Sequence, residues 1–131
     1  MSEERYQEGL AVKRRLFGEG KEHPLPPGHL ASDLLRLTDE MVFGAVYTRP
    51  GLDLKTRSML TLAALTVLGR DDYLRRHLQG ALHVGVTPAE IKEILMQMAF
   101  YGGIPCALKG LRIAQEEIAA WPSARAAGSA S

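Results

Sequence analysis

Cysteine is almost absent from this chain of 131 residues: Cys106 is its single example. One thiol excludes an intramolecular disulfide and any multi-cysteine metal site built by one chain. Excess charge is absent too. The formal net charge is +1, so no global field points to nucleic acid or to an anionic membrane surface. Basic residues cluster at Lys13-Arg14-Arg15 and between Arg70 and Arg76, but acids follow or interrupt each cluster, as on a solvated helix face. Long hydrophobic runs are missing: the longest, Met59 to Leu68, contains two threonines and is too short to span a bilayer. The opening Met1-Ser2-Glu3-Glu4-Arg5 has neither the basic nor the apolar region of a signal peptide. These features lead us to expect a cytoplasmic protein without nucleic-acid or membrane partners.

What remains is ordinary globular composition, 46% hydrophobic and 24% charged, in a chain long enough for one domain. No segment keeps the two-residue alternation of a strand, and nearly every strong signal is helical. Glu3 to Phe17 reads as a charged amphipathic helix closed by Gly18 and Gly20, followed by a loop with Pro24, Pro26 and Pro27. A second helix is expected from about His29 to Tyr47, with Leu30, Leu34, Leu37, Met41 and Val42 inward, ending before the turn Arg49-Pro50-Gly51. Asp53 is placed to cap a third helix, Leu54 to Leu68, whose apolar character on nearly every side predicts the buried centre of the fold. Asp71 or Asp72 opens a fourth. Thr87-Pro88-Ala89-Glu90 is a capping box with proline at the first helical position, and opens a fifth helix with Ile91, Ile94, Leu95 and Met98 inside. Gly102-Gly103 breaks it, and Pro105 opens a sixth helix through about Trp121. The Ala/Ser/Gly-rich tail from Pro122 to Ser131 is expected to be disordered. The fold class is therefore all-α, with about six helices in one domain over residues 1–121.

His77 is the residue with the most chemistry to offer. Leu74, Leu78, Ala81 and Leu82 recur at helical spacing and place it on the apolar stripe of the fourth helix. An imidazole there is either a structural group with a hydrogen-bond partner or a pocket group that moves a proton near neutral pH. Arg49 and Arg57 flank the turn into the third helix and could grip carboxylates as bidentate forks, or could pair with Asp53 or Asp39. Tyr47 and Tyr101 could lend phenolic hydrogen bonds, although core aromatics with a wet hydroxyl are the commoner case. Cys106 reads as a small buried hydrophobe near a helix start. His83 suits the C-terminal end of its helix, His23 and His29 read as surface residues, and Met96, Met98 and the leucines as core filling.

Three ordered stretches resemble the carboxymuconolactone decarboxylase family within the alkyl hydroperoxidase D-like superfamily. They are Tyr47-Thr48-Arg49-Pro50-Gly51-Leu52-Asp53 with Lys55-Thr56-Arg57-Ser58; His77-Leu78-x-x-Ala81 leading to Gly85-Val86-Thr87-x-x-Glu90-Ile91-Lys92-Glu93; and Tyr101-Gly102-Gly103-Ile104-Pro105-Cys106-Ala107. The peroxidase branch carries Cys-x-x-Cys before the matching histidine; here those positions are Arg70 and Tyr73, and Ser58 stands where that branch has a glutamate. A dithiol reaction needs two neighbouring sulfurs, so thiol peroxidase activity is not expected.

The resemblance implies a helical bundle that assembles as a trimer or hexamer, and a cofactor-independent decarboxylase of the 4-carboxymuconolactone type. The small carboxylated lactone it would act on belongs to aromatic-compound degradation. It implies catalysis by His77, substrate contacts from Arg57, Arg49, Tyr47 and Tyr101, and neither cofactor nor metal. One departure stands out: decarboxylases of this family typically carry Trp-Gly-Glu where this chain has Phe43-Gly44-Ala45. Alternatives on the same fold are a proton-transfer isomerase or lactone hydrolase, and a non-catalytic oligomeric binding protein.

Overall fold

The computed structural model describes residues 2–21 and 25–122. These contain six α-helices and one π-helix, and no strand. The helices are α1 (Glu3–Phe17), α2 (Ser32–Thr38), the π-helix Asp39–Val46 that continues α2, α3 (Leu54–Leu68), α4 (Asp71–His83), α5 (Pro88–Gly102) and α6 (Ile104–Ala120). The all-α expectation and the helix order hold. His23 and the expected tail from residue 123 onward lie outside the described residues. No helix among the described residues is long and apolar enough to cross a membrane. The chain divides into two compact units, one ending at Leu54 and one beginning at Lys55.

In the N-terminal unit, Ser2 caps α1 by accepting the Arg5 N–H, and Glu3 and Glu4 sit in its first turn, where the helix dipole favours acids. α1 crosses the π-helix at very short range, and two glycines permit it. A Cβ on Gly9 would lie 1.9 Å from the Asp39 carbonyl oxygen, and one on Gly44 would lie 2.2 Å from the Arg5 carbonyl oxygen. The crossing buries Gly9, Val12 and Leu16 of α1 against Asp39, Glu40, Phe43 and Gly44. Lys13 neutralises Asp39 at 2.9 Å, with both side chains largely shielded from solvent.

This packing overturns the expected inner stripe of the second helix. Leu30 is fully exposed, and Leu34, Leu37, Met41 and Val42 also face outward. Two causes act. Leu30 precedes α2, and α2 buries none of its own residues, so its leucines have no inner face to join. Beyond α2 the helix widens: the Tyr47 N–H bonds to the Val42 carbonyl five residues back, so Met41 and Val42 do not keep the face that a 3.6-residue turn predicts. The two acids are buried with partners from the N-terminal segment: Lys13 pairs with Asp39, and Glu40 Oε1 accepts the Ser2 N–H.

In the C-terminal unit the core is Leu62 of α3, Leu74, Leu78 and Ala81 of α4, Val86 of the α4–α5 connection, Ile91 and Leu95 of α5, and Ile113 and Ala114 of α6. α5 begins with the capping box expected: Thr87 accepts the Glu90 N–H, and Glu90 accepts the Thr87 N–H at 2.9 Å. That backbone bond, together with Lys55 at 3.2 Å, holds the Glu90 carboxyl below its usual range. α6 ties to α4 at the surface through Arg75 with Glu116 and Glu117. Inside, Gly110 lets α6 approach the Thr66 side chain of α3.

α3 is not buried on every side, contrary to expectation. Its inner stripe is Ser58, Leu62 and Thr66, whereas Leu60 and Leu68 are 55% and 62% exposed. A unit of four helices cannot surround one of them, so an all-apolar helix leaves a leucine face outside. Met96, read as core, is exposed for the same reason, on the outer side of α5.

Candidate active site

The five candidate residues divide between the two units. Tyr47 and Arg49 belong to the N-terminal unit; Arg57, His77 and Tyr101 belong to the C-terminal one. Tyr47 closes the π-helix, half-buried, its ring edge-on to Phe43 with centroids 5.0 Å apart. Arg49 follows in the exposed turn, where its N–H bonds the Val46 carbonyl at 3.1 Å. Arg57 lies in the first turn of α3, half-buried. Tyr101 is 74% exposed near the end of α5, so it is a surface tyrosine in the single chain and not a core aromatic.

His77 is positioned by the stripe that marked it. Leu74, Leu78 and Ala81 are buried on α4, and the imidazole beside them is mostly shielded. Burial disfavours the imidazolium, and the adjacent Arg76 cation adds to the effect, so the His77 pKa falls to about 4. At neutral pH the ring is neutral in the unliganded chain. His83 lies exposed in the last turn of the same helix, the place where a partial positive charge is favourable. Cys106 is half-buried at the start of α6, and its thiol donates to the Gly103 carbonyl at 3.1 Å.

Two buried polar groups escaped the sequence reading. Ser58 is fully buried, and its hydroxyl has no hydrogen-bond partner among the described residues. Glu40 is 3% exposed, with one carboxylate oxygen, Oε2, equally unpartnered. Neither has a local signature: a serine on an apolar stripe and an acid in Asp39-Glu40-Met41-Val42 look like ordinary helix surface until the packing is known. A hollow of about 380 Å³ in the C-terminal unit is lined by Met59, Ala89, Glu90, Glu93, Ile94 and Gln97, and so by none of the five candidates. Among the described residues no group of three or more His, Cys, Asp or Glu side chains is gathered to hold a metal ion.

An all-α fold that carries a shielded histidine on its fourth helix, in a chain without paired cysteines, fits the decarboxylase side of the superfamily. The family model for the carboxymuconolactone decarboxylase family matches residues 32–116, and the chain belongs to that family. It is 35% identical over 124 residues to the 4-carboxymuconolactone decarboxylase of Acinetobacter baylyi, a match covering 87% of each chain. It is 34% identical over 120 residues to the nitrosuccinic acid decarboxylase of Metarhizium robertsii, covering 86% of this chain and 80% of the relative. A third relative is an uncharacterized 15.0 kDa protein from the nqo9–nqo10 intergenic region of Paracoccus denitrificans, 46% identical over 78 residues and 58% of each chain.

Proposed function

We propose that this chain is a cofactor-independent carboxy-lyase of the 4-carboxymuconolactone decarboxylase type, with residues 1–121 as its single family domain. The observation that carries the reading is the 87% two-way coverage by a decarboxylase of that name. In the expected reaction the bond from the lactone γ-carbon to its carboxylate breaks, and carbon dioxide leaves. The electron pair moves through the ring double bond into the carbonyl, giving a dienolate that a proton on carbon then quenches. The substrate supplies its own electron sink. A nitro group can take such a pair as a carbonyl does, which makes the nitrosuccinic acid relative chemically coherent with the same reading.

The protein's work is to bind an anion, favour charge on the carbonyl oxygen and deliver the proton. Arg57 and Arg49 are the proposed grips on substrate carboxylates, and Tyr47 and Tyr101 the proposed phenolic donors. His77 is the proposed proton donor. With its pKa near 4, the imidazolium is about one part in a thousand at pH 7 in the free chain. A substrate carboxylate beside the ring offsets desolvation and Arg76, so His77 takes up its proton as the substrate binds. Calorimetry in buffers of different ionisation enthalpy should then register proton uptake on binding.

Incubation with 4-carboxymuconolactone and measurement of released carbon dioxide tests the activity. Wild-type chain should turn the lactone over, and His77→Gln should lower kcat/KM by about 10²- to 10⁴-fold, as loss of a general acid does. No release at micromolar enzyme would sink the decarboxylase reading.

The active assembly is proposed to be a homo-oligomer, a trimer or hexamer. The support is the apolar surface of the single chain: Phe100 is 89% exposed and Ile104 65%, with Leu60, Leu68, Met96 and Leu108 also outside.

A further inference from the structure

The hollow of about 380 Å³ in the C-terminal unit takes no part in the proposed chemistry. Glu90, Glu93, Ile94 and Gln97 of its lining fall at i, i+3, i+4 and i+7 along α5, so it follows one side of that helix. Met59 of α3 and Ile94 form its apolar wall, and both pack against the buried core behind it. Glu90 brings no spare charge, because its carboxylate already holds the Thr87 N–H and Lys55. A space of a few hundred Å³ is large enough to take an aromatic ring.

Phe100 lies on the same helix, three residues beyond Gln97, and its own chain leaves the ring almost fully exposed. A helix is rigid, so Phe100 cannot fold back onto a hollow nearly two turns before it. A second copy can bring its Phe100 there. With two α5 helices antiparallel about a two-fold axis at Gln97, residues equally far before and after Gln97 face each other, and each Phe100 meets the other copy's Ile94. The register also suits the polar groups. Gln97 meets the second copy's Gln97, and a primary amide both donates and accepts, so it can pair with itself. Glu93 falls opposite the uncharged position 101, so no acid faces an acid.

The area is of the right order. Phe100, Met96 and Ile104 together expose roughly 400 Å², half of the about 800 Å² that one partner gives to a standard interface, with the walls of the hollow still to be added. We propose that the hollow is the receptor for Phe100 of a second copy of this chain, in an isologous contact that packs α5 antiparallel on α5 and fills both hollows at once. The contact rests on the homo-oligomer reading and says which surfaces meet. It requires a two-fold axis, which a hexamer of stacked trimers contains and a lone trimer does not.

Sedimentation velocity of the full chain over a dilution series tests it. The wild type should contain an even number of chains, as the two-fold demands. Phe100→Ala removes the ring, and Ala89→Trp fills the hollow from an exposed position; each should raise the dissociation constant at least about tenfold. In a Cys106→Ser background, which removes the only thiol of the chain, Gln97→Cys puts a new one on the axis. Mild oxidation should then link two chains, whereas Lys92→Cys, exposed elsewhere on α5, should not. A wild type that sediments as single chains overturns the homo-oligomer reading and this contact with it. A wild type of three chains, unchanged dissociation in either Phe100→Ala or Ala89→Trp, or no cross-link through Gln97→Cys overturns this contact and leaves the oligomer standing.

Discussion

His77 carries two consequences that can be measured without knowing the substrate. Its folded pKa of about 4 lies below the ordinary value of 6.5, so unfolded chains bind a proton that folded chains refuse. The stabilisation from the neutral ring is complete above pH 6.5 and drains away as pH falls from there toward 4. A shift of that size corresponds to about 3 kcal/mol between the two limits. Urea denaturation at pH 7 and pH 4 should show this slope in the wild type, and His77→Gln should flatten it by that amount. Ser58 has the opposite character. Thr38, Thr48, Thr61 and Thr66 each turn their hydroxyl back to the carbonyl four residues earlier, at 2.8–3.0 Å, and so satisfy it. The Ser58 hydroxyl does not, although it is fully buried. Ser58→Ala removes an unsatisfied group and leaves little void, so it should raise stability by about 1 kcal/mol. A loss of stability in the same urea assay would mean that the hydroxyl has a partner in solution.

At the scale of elements, the α1–π-helix crossing sets the architecture of the N-terminal unit, and its tolerance can be tested at Gly44. Alanine in a helix interior normally gains up to about 1 kcal/mol over glycine. Here its Cβ would lie 2.2 Å from the Arg5 carbonyl oxygen, which is backbone and cannot rotate away. The clash outweighs the propensity: Gly44→Ala should lose about 3 kcal/mol, read as a lower Tm, and Gly9→Ala should behave alike. Local chemistry made much of the fold legible from residues alone. Thr87 to Glu90 is a complete helix start by itself, Pro105 and the paired glycines mark a break, and the stripe Leu74, Leu78, Ala81 marks a buried face. The π-helix was not legible, because its hydrogen-bond register answers to the glycine crossing with α1, which lies some thirty residues away in sequence. That register turns Met41 and Val42 outward, whereas the leucines of α2 face out because none of that helix is covered. For the site, the identity of His77 and its shielding could be read from spacing. Its pKa could not, since that depends on how much of the fold closes over the ring. Glu40 and Ser58 were invisible because burial of a polar side chain is a property of its neighbours.

For the whole molecule, the outward apolar residues must be reconciled with a chain that carries a net charge of only +1. Single exposed leucines need no explanation. The C-terminal unit shows something more regular: Leu60 and Leu68 two turns apart on α3, Met96 and Phe100 one turn apart on α5, and Ile104 and Leu108 one turn apart on α6. Three helices each presenting an i, i+4 or i, i+8 apolar pair is the pattern of faces meant to be covered, and low net charge gives little repulsion to keep copies apart. The homo-oligomer reading makes Phe100 its most informative residue. At 89% exposure the ring contributes almost nothing to the folding of one chain, so Phe100→Glu should leave the unfolding free energy of an isolated chain within about 0.5 kcal/mol of wild type. In an assembly the same change would place a carboxylate in an apolar contact. Light scattering coupled to size exclusion should then find the wild type at a multiple of 14.3 kDa and Phe100→Glu at a smaller species. A wild type that elutes as a single chain at micromolar concentration would refute the oligomer. A Phe100→Glu variant that keeps the wild-type mass would locate the contact elsewhere, with the outward leucines of α2 as the next surface to test.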